Sequence, residues 1–269
     1  MRKSWPYAVV LTLVFLGVPR VLHHFIPDPR QVQMMFPVVL LVLVVPVALF
    51  FLPRYRRSKK LTDEGLQLLS EGRVAAALER FEAARPLAKV QVVPTYNIGI
   101  TQLQLWRLPT AGRELSSLES RKDLTPQFRA VLSTALALVD ALEGRLARVE
   151  ARLAEAKSQV DFPLGLAPLA SAVVACREGR WAEARALLGD ASLENLTGPL
   201  RGLRNALEAW CVDQLTGERR PVDAIALFGE ASQDSLQAAW PEFVDHVVKH
   251  AAAPPALSAV TPEEASAGR

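Results

Sequence analysis

The sequence predicts an all-α protein: an N-terminal pair of membrane helices followed by a stack of about four to five helix pairs. Three observations carry this. Residues 34–52 form an unbroken apolar run of 19. Small and large apolar residues recur beyond residue 60 at a spacing of 34–38. No stretch of useful length alternates with period two, as a half-buried strand would. The composition agrees, since half the residues are hydrophobic while only 7% are aromatic, a bias toward helix formers.

The run 34–52 would span about 28 Å as a helix, close to the hydrocarbon thickness of a bilayer. Pro37 falls in its first turn, Pro46 inside it and Pro53 at its end. Pro46 is expected to kink the helix, and Pro53 to end it. An earlier run, residues 5–19, is apolar apart from Thr12 but only 15 long. It reaches spanning length if Arg20 snorkels and His23 and His24 sit at the interface. Arg2 and Lys3 ahead of it resemble a secretory signal, but Gly17-Val18-Pro19-Arg20 offers no small-x-small cleavage site.

Charge sets the orientation. Residues 1–60 hold nine Lys/Arg and one acid, a net +8, leaving 22 Lys/Arg against 27 Asp/Glu, a net −5, for the rest. Arg54, Arg56, Arg57, Lys59 and Lys60 flank the second run and mark its end as cytoplasmic. Both termini are therefore expected inside, with a short exported connector. A bacterial inner membrane fits these flanks. The same five residues are the expected contacts to anionic lipid. An acidic folded part argues against nucleic acid as a partner.

From residue 61 the small–large pattern repeats. Gly65, Ala77 and Phe81, with Ala84 behind them, recur in register as Gly99, Ala111 and Leu115. Ala137, Gly144, Val149, Leu153 and Ala156 come next, then Ala172, Gly179, Ala184, Leu188 and Ala191. A looser copy is Ala224, Phe228 and Ala231. Gly72, Gly144 and Gly179 each precede Arg and are expected to end the first helix of a pair in the left-handed conformation. Thr125-Pro126 and Gly198-Pro199 read as helix starts.

These motifs resemble the tetratricopeptide repeat (TPR), a helix pair of about 34 residues. The resemblance covers roughly residues 60–232 and implies an α-solenoid whose concave groove binds a protein or peptide. The groove residues it implies are Thr62, Leu66, Leu69, Tyr96, Asn97, Ile100 and Leu103. Some members of the family grip a terminal carboxylate. Of the positions that would do so, Thr62, Leu66, Val131 and Ala135 depart from the pattern and only Asn97 matches. An apolar or amphipathic ligand is the better expectation.

The resulting division is residues 1–30 for the first membrane helix and connector, and 31–53 for the second helix. Residues 54–60 form a basic juxtamembrane segment and 61–232 the repeats. Residues 233–250 form a capping helix that Pro241 kinks or splits, with Leu236, Trp240, Phe243, Val244 and Val247 on one face, and 251–269 a disordered tail.

No catalytic motif is present: there is no phosphate loop, HExxH or GxSxG. His246 and His250 stand four apart on one helix face without an evident third metal ligand. Cys176 and Cys211 read as small buried hydrophobes. Glu143, Glu150 and Glu155, among Arg145, Arg148 and Arg152, read as a solvated face. No cofactor, metal or catalytic residue is expected. The functional expectation is a non-enzymatic, membrane-tethered scaffold. The alternative is an accessory subunit of a membrane transport or envelope complex in which the hairpin is the working part.

Overall fold

A computed structural model describes residues 29–88, 91–160 and 165–251. Among these residues the protein is all helical, with no strand beyond one isolated bridge between Val222 and Ala251. Ten helices form five consecutive pairs: α1 (Pro29–Ser70) with α2 (Val74–Ala84), α3 (Val92–Gln104) with α4 (Leu108–Ser116), α5 (Pro126–Leu142) with α6 (Leu146–Gln159), α7 (Leu166–Arg177) with α8 (Trp181–Leu188), and α9 (Gly198–Thr216) with α10 (Ala224–Phe228). Two short helices follow, α11 (Asp234–Ala239) and α12 (Pro241–Lys249), so the expected capping helix is split at Pro241.

The small–large spacing works as a crossing device. A Cβ added to Gly65 would lie 2.5 Å from Cε1 of Phe81, and one added to Gly99 would lie 2.6 Å from Cδ2 of Leu115. In each of the first two pairs, the large side chain therefore sits directly on the glycine of its partner helix. Ala77, Phe81, Ala111, Leu115, Ala172, Ala184 and Leu188 are all buried. The third copy is looser, with Val149 and Ala156 buried but Leu153 only partly so. In the fifth the expected plug is displaced by one position. Leu227, and not Phe228, is fully buried. There the backbone of α10 itself lies on Gly202, whose added Cβ would meet the Ala226 carbonyl oxygen at 2.5 Å.

The turns follow the glycine rule with one exception. Gly72, Gly144 and Gly179 have φ of 78°, 76° and 71°. The equivalent position in the second pair is Trp106, at φ 56°. A bulky residue there carries about 1–3 kcal/mol of backbone strain. It is offset because the indole is fully buried and its Nε1–H donates to the Leu227 carbonyl at 2.9 Å. Burial of a tryptophan's apolar area contributes up to about 4–6 kcal/mol.

That hydrogen bond shows how the stack closes. The chain after α8 turns back onto the earlier pairs. Glu230 Oε2 accepts from the Ala75 N–H at 3.0 Å, capping the start of α2, and Ala231 packs on the core of the first pair. Arg177 Nη2 donates to the carbonyls of Leu142 and Ala239, at 2.6 and 2.9 Å, and its guanidinium lies 4.4 Å from the Trp240 ring centre. One apolar core runs from Val92 to Val247. Leu236, Trp240, Phe243, Val244 and Val247 share a buried face as expected, and Trp240 and Phe243 meet the Trp210 ring.

The N-terminal expectation is also changed in detail. The helix does not stop at Pro53: α1 is a single α-helix through Pro37, Pro46 and Pro53, and its 42 residues reach about 63 Å. Proline's φ suits a helix, so loss of one N–H bond bends a helix more readily than it ends one here. The basic segment 54–60 is therefore helical and joined without a loop to the first pair, whose packing begins where the buried Ser58 Oγ–H donates to the Ala84 carbonyl at 3.2 Å. Among the described residues no helix is long and apolar enough to cross a membrane. The first apolar segment lies outside the described residues, as does the tail 252–269, and within residues 34–52 only the side chains of Met34, Val38, Val42 and Leu52 are described.

The close approaches rank three substitutions. Gly202→Ala should destabilise by about 1–3 kcal/mol, because backbone cannot yield to the new methyl. Gly112→Ala, whose Cβ would meet nothing nearer than 3.5 Å, should be neutral or stabilise by up to about 1 kcal/mol through helix propensity. Gly99→Ala should fall between, since Leu115 can shift. Urea unfolding of the three variants checks the order.

Candidate functional site

The implied groove residues come from two first helices of consecutive pairs, α1 and α3. Leu66 is 49% exposed. Thr62, Leu69, Tyr96, Asn97 and Ile100 are half-buried. Thr62 turns its hydroxyl inward along its own helix and donates to the Ser58 carbonyl at 3.0 Å. Tyr96 stands edge-on to Phe128, with ring centres 5.2 Å apart, and burial pushes its phenol well above the usual tyrosine range. Leu103 is fully buried in the core and cannot line a groove. Of the seven, Leu66 is exposed, five are half-buried and only Leu103 is covered. The five basic residues Arg54, Arg56, Arg57, Lys59 and Lys60 are exposed on α1, with Lys60 3.8 Å from Glu64.

The charged run on α6 is less solvated than its sequence suggests. Asp140, on α5, is 3% exposed and accepts from Arg145 Nε and Arg152 Nε, each at 2.6 Å. Arg152 reaches on to Glu119 Oε1 at 2.6 Å, and the Ser133 hydroxyl bonds Glu155 at 3.0 Å. A buried carboxylate held by two guanidiniums ties α5 to α6 and to the turn after α4. Its sequence signal was an acid inside an apolar helix face, Leu138-Val139-Asp140-Ala141-Leu142. Cys176 and Cys211 are buried free thiols as expected, with Sγ atoms 3.6 Å apart.

The densest chemistry lies where α9 and α12 end side by side. Trp210 on α9 contacts Trp181, Trp240 and Phe243, with ring centres 4.9, 5.6 and 5.7 Å away. His246 stacks on the same indole at 5.5 Å. Its side chain is only 8% exposed, its Nδ1 stands 3.9 Å from Asp213 Oδ2, and its Nε2 is buried without a hydrogen-bond partner. The His250 ring lies 4.5 Å from that of His246. Ligand-type atoms of Asp213, His246 and His250 all lie within 4.8 Å of one another. Burial, aided by the neighbouring His250 and against the pull of Asp213, lowers the His246 imidazole to a pKa of about 4. It is neutral at physiological pH. The pair His246 and His250 was legible from its spacing of four; Asp213 was not, because it lies far back in the chain on another helix.

These features define a class, an all-α protein of stacked helical hairpins closed by its own C-terminal segment. No protein-family model, no curated protein and no solved structure matches the chain.

The depressed His246 pKa fixes the sign of a pH effect. Between pH 6.5 and about 4 the unfolded chain binds a proton that the native site refuses. Stability contributed by neutral His246 is fully present above pH 6.5 and is lost as pH falls toward 4, by at most about 3 kcal/mol. In metal-free buffer, His246→Phe should keep the stack on Trp210 and flatten this limb of the stability–pH curve. An unchanged limb in the variant would contradict the assignment.

Proposed function

We propose that this chain is a membrane-tethered protein-interaction scaffold whose stacked hairpins are TPR-like and face the cytoplasm. The observation that carries the reading is the paired crossing of Gly65 with Phe81 and Gly99 with Leu115, two close helix approaches set 34 residues apart. The left-handed turns at Gly72, Gly144 and Gly179, with Trp106 in the same position, support the same unit. A stack of such units buries its own helix faces and leaves one side for a partner.

Membrane attachment is supported by the apolar run 34–52 and by an exposed stripe on α1. Met34, Val38 and Val42, successive at a spacing of four, are 74%, 57% and 62% exposed. An apolar stripe of this kind on a long helix suits lipid, and the exposed basic residues that follow suit an anionic leaflet. The partner would be a protein or peptide offering an apolar face to Leu66 and its half-buried neighbours.

A second reading is favoured by one observation, the continuity of α1. A helix that runs without a loop from the apolar run into the first pair can transmit force or position. The chain would then be an accessory subunit of a membrane transport or envelope complex, with the N-terminal hairpin as its working part.

Leu66→Glu should leave the melting temperature nearly unchanged, since an exposed substitution changes stability by about 0.5 kcal/mol or less, while removing capture of the partner by the detergent-extracted full chain. Retained capture would exclude that surface. Replacing residues 1–52 by an unrelated two-helix anchor separates the two readings, because only the scaffold keeps its cellular activity. Release of the full chain from membranes by alkaline carbonate would remove both.

A further inference from the structure

We propose that Asp213, His246 and His250 form a binding site for a first-row divalent metal ion of the zinc class, with at least one coordination position left open. The inference is independent of the scaffold reading.

Two imidazoles and one carboxylate are a ligand set suited to Zn²⁺, Co²⁺ or Fe²⁺, and three protein ligands leave room for water or a substrate atom. The geometry brings them together from two helices. His246 and His250 share one face of α12, and Asp213 approaches from the last turn of α9. With metal–ligand bonds of about 2.0–2.2 Å, ligand atoms around a tetrahedral ion stand roughly 3.3 Å apart. Atoms already within 4.8 Å need to close by at most about 1.5 Å to meet that spacing. His250, half-buried just past the end of α12, can supply much of that by rotating its side chain.

Two further observations point to a cation. The stack on Trp210 fixes the His246 ring with Nδ1 3.9 Å from Asp213 Oδ2, so one nitrogen already faces the carboxylate with which it would share a cation. The site also lies where two helices end together. Asp213 accepts, through its backbone carbonyl, from the Gly217 N–H that caps α9, and His246 and His250 lie in the last turn and cap of α12. Both C-termini direct negative dipole ends toward the site, which favours positive charge. The carboxylate gives a site of net −1 with neutral imidazoles. Lys249 is the adjacent charge that opposes binding.

The sequence could not place this site, because the two histidines supply only two ligands and the third comes from a helix outside the C-terminal segment. A metal there would tie α12 to α9, and so fasten the segment that lies across the earlier pairs.

The test uses the tag-free, full-length protein in detergent, stripped of metal and titrated with Co²⁺. Wild type should develop visible d–d absorption saturating at one equivalent, which Zn²⁺ then bleaches. His250→Ala and Asp213→Asn should each weaken Co²⁺ binding by on the order of 100-fold, since even loss of a supporting outer partner lowers metal affinity about 10–100-fold. Both positions are half-buried, and matching melting temperatures of the metal-free proteins would establish that the variants fold. X-ray absorption of the Zn²⁺-loaded wild type, which needs no variant, should show scattering from two imidazoles. Absence of a saturable one-equivalent signal, an unchanged titration in either folded variant, or a spectrum without imidazole scattering would overturn the proposal.

Discussion

An apolar helix face that its own hairpin cannot cover has to be covered by something else. In this chain the cover comes from two directions. Within the first two pairs, glycine and alanine crossings let the helices approach until Phe81 touches Gly65 and Leu115 touches Gly99, and neighbouring pairs bury each other along the stack. Part of the remaining surface of the early pairs is covered by the chain's own C-terminal segment. Trp106, Leu227, Glu230 and Arg177 are the contacts at which this second covering is made.

Trp106 shows why the second covering matters. A turn that elsewhere uses glycine here uses the largest side chain, in a backbone region that side chains avoid. The strain is tolerable only while the indole has a core to enter and a carbonyl to bond, and α10 supplies the carbonyl. The second pair is therefore not an independent unit. Its local conformation depends on a carbonyl 121 positions further along. An open array of equivalent repeats would have no such dependence. The same closure explains why an aromatic cluster centred on Trp210 forms where the segment docks.

What could be read in the sequence follows from the range of each interaction. The crossings of the first two pairs, the glycine turns, the Thr125 cap, whose hydroxyl accepts from the Phe128 N–H at 3.2 Å, and the split at Pro241 are all local, and the spacing of residue types reveals them. The resemblance implies Leu103 for the groove, yet it is fully buried, because matching a position to a repeat does not say whether another element covers it. Leu227 replaced Phe228 because α10 is a single short helix and docks by its backbone on Gly202. The Asp140 network and the meeting of Asp213 with His246 and His250 were hidden for the same reason. Each joins helices whose relative placement no short pattern encodes.

The continuity of α1 links the apolar run to the first pair, so whatever holds the run also orients the stack. Closure of the stack is the claim on which the rest depends, and hydrogen exchange in a chain truncated after Gly217 tests it most directly. The account predicts that amides of α2 and α3 (Val74–Ala84 and Val92–Gln104) lose protection by orders of magnitude while the crossings within α5 to α8 exchange more slowly. Protection of α2 and α3 equal to that in the full chain would contradict it.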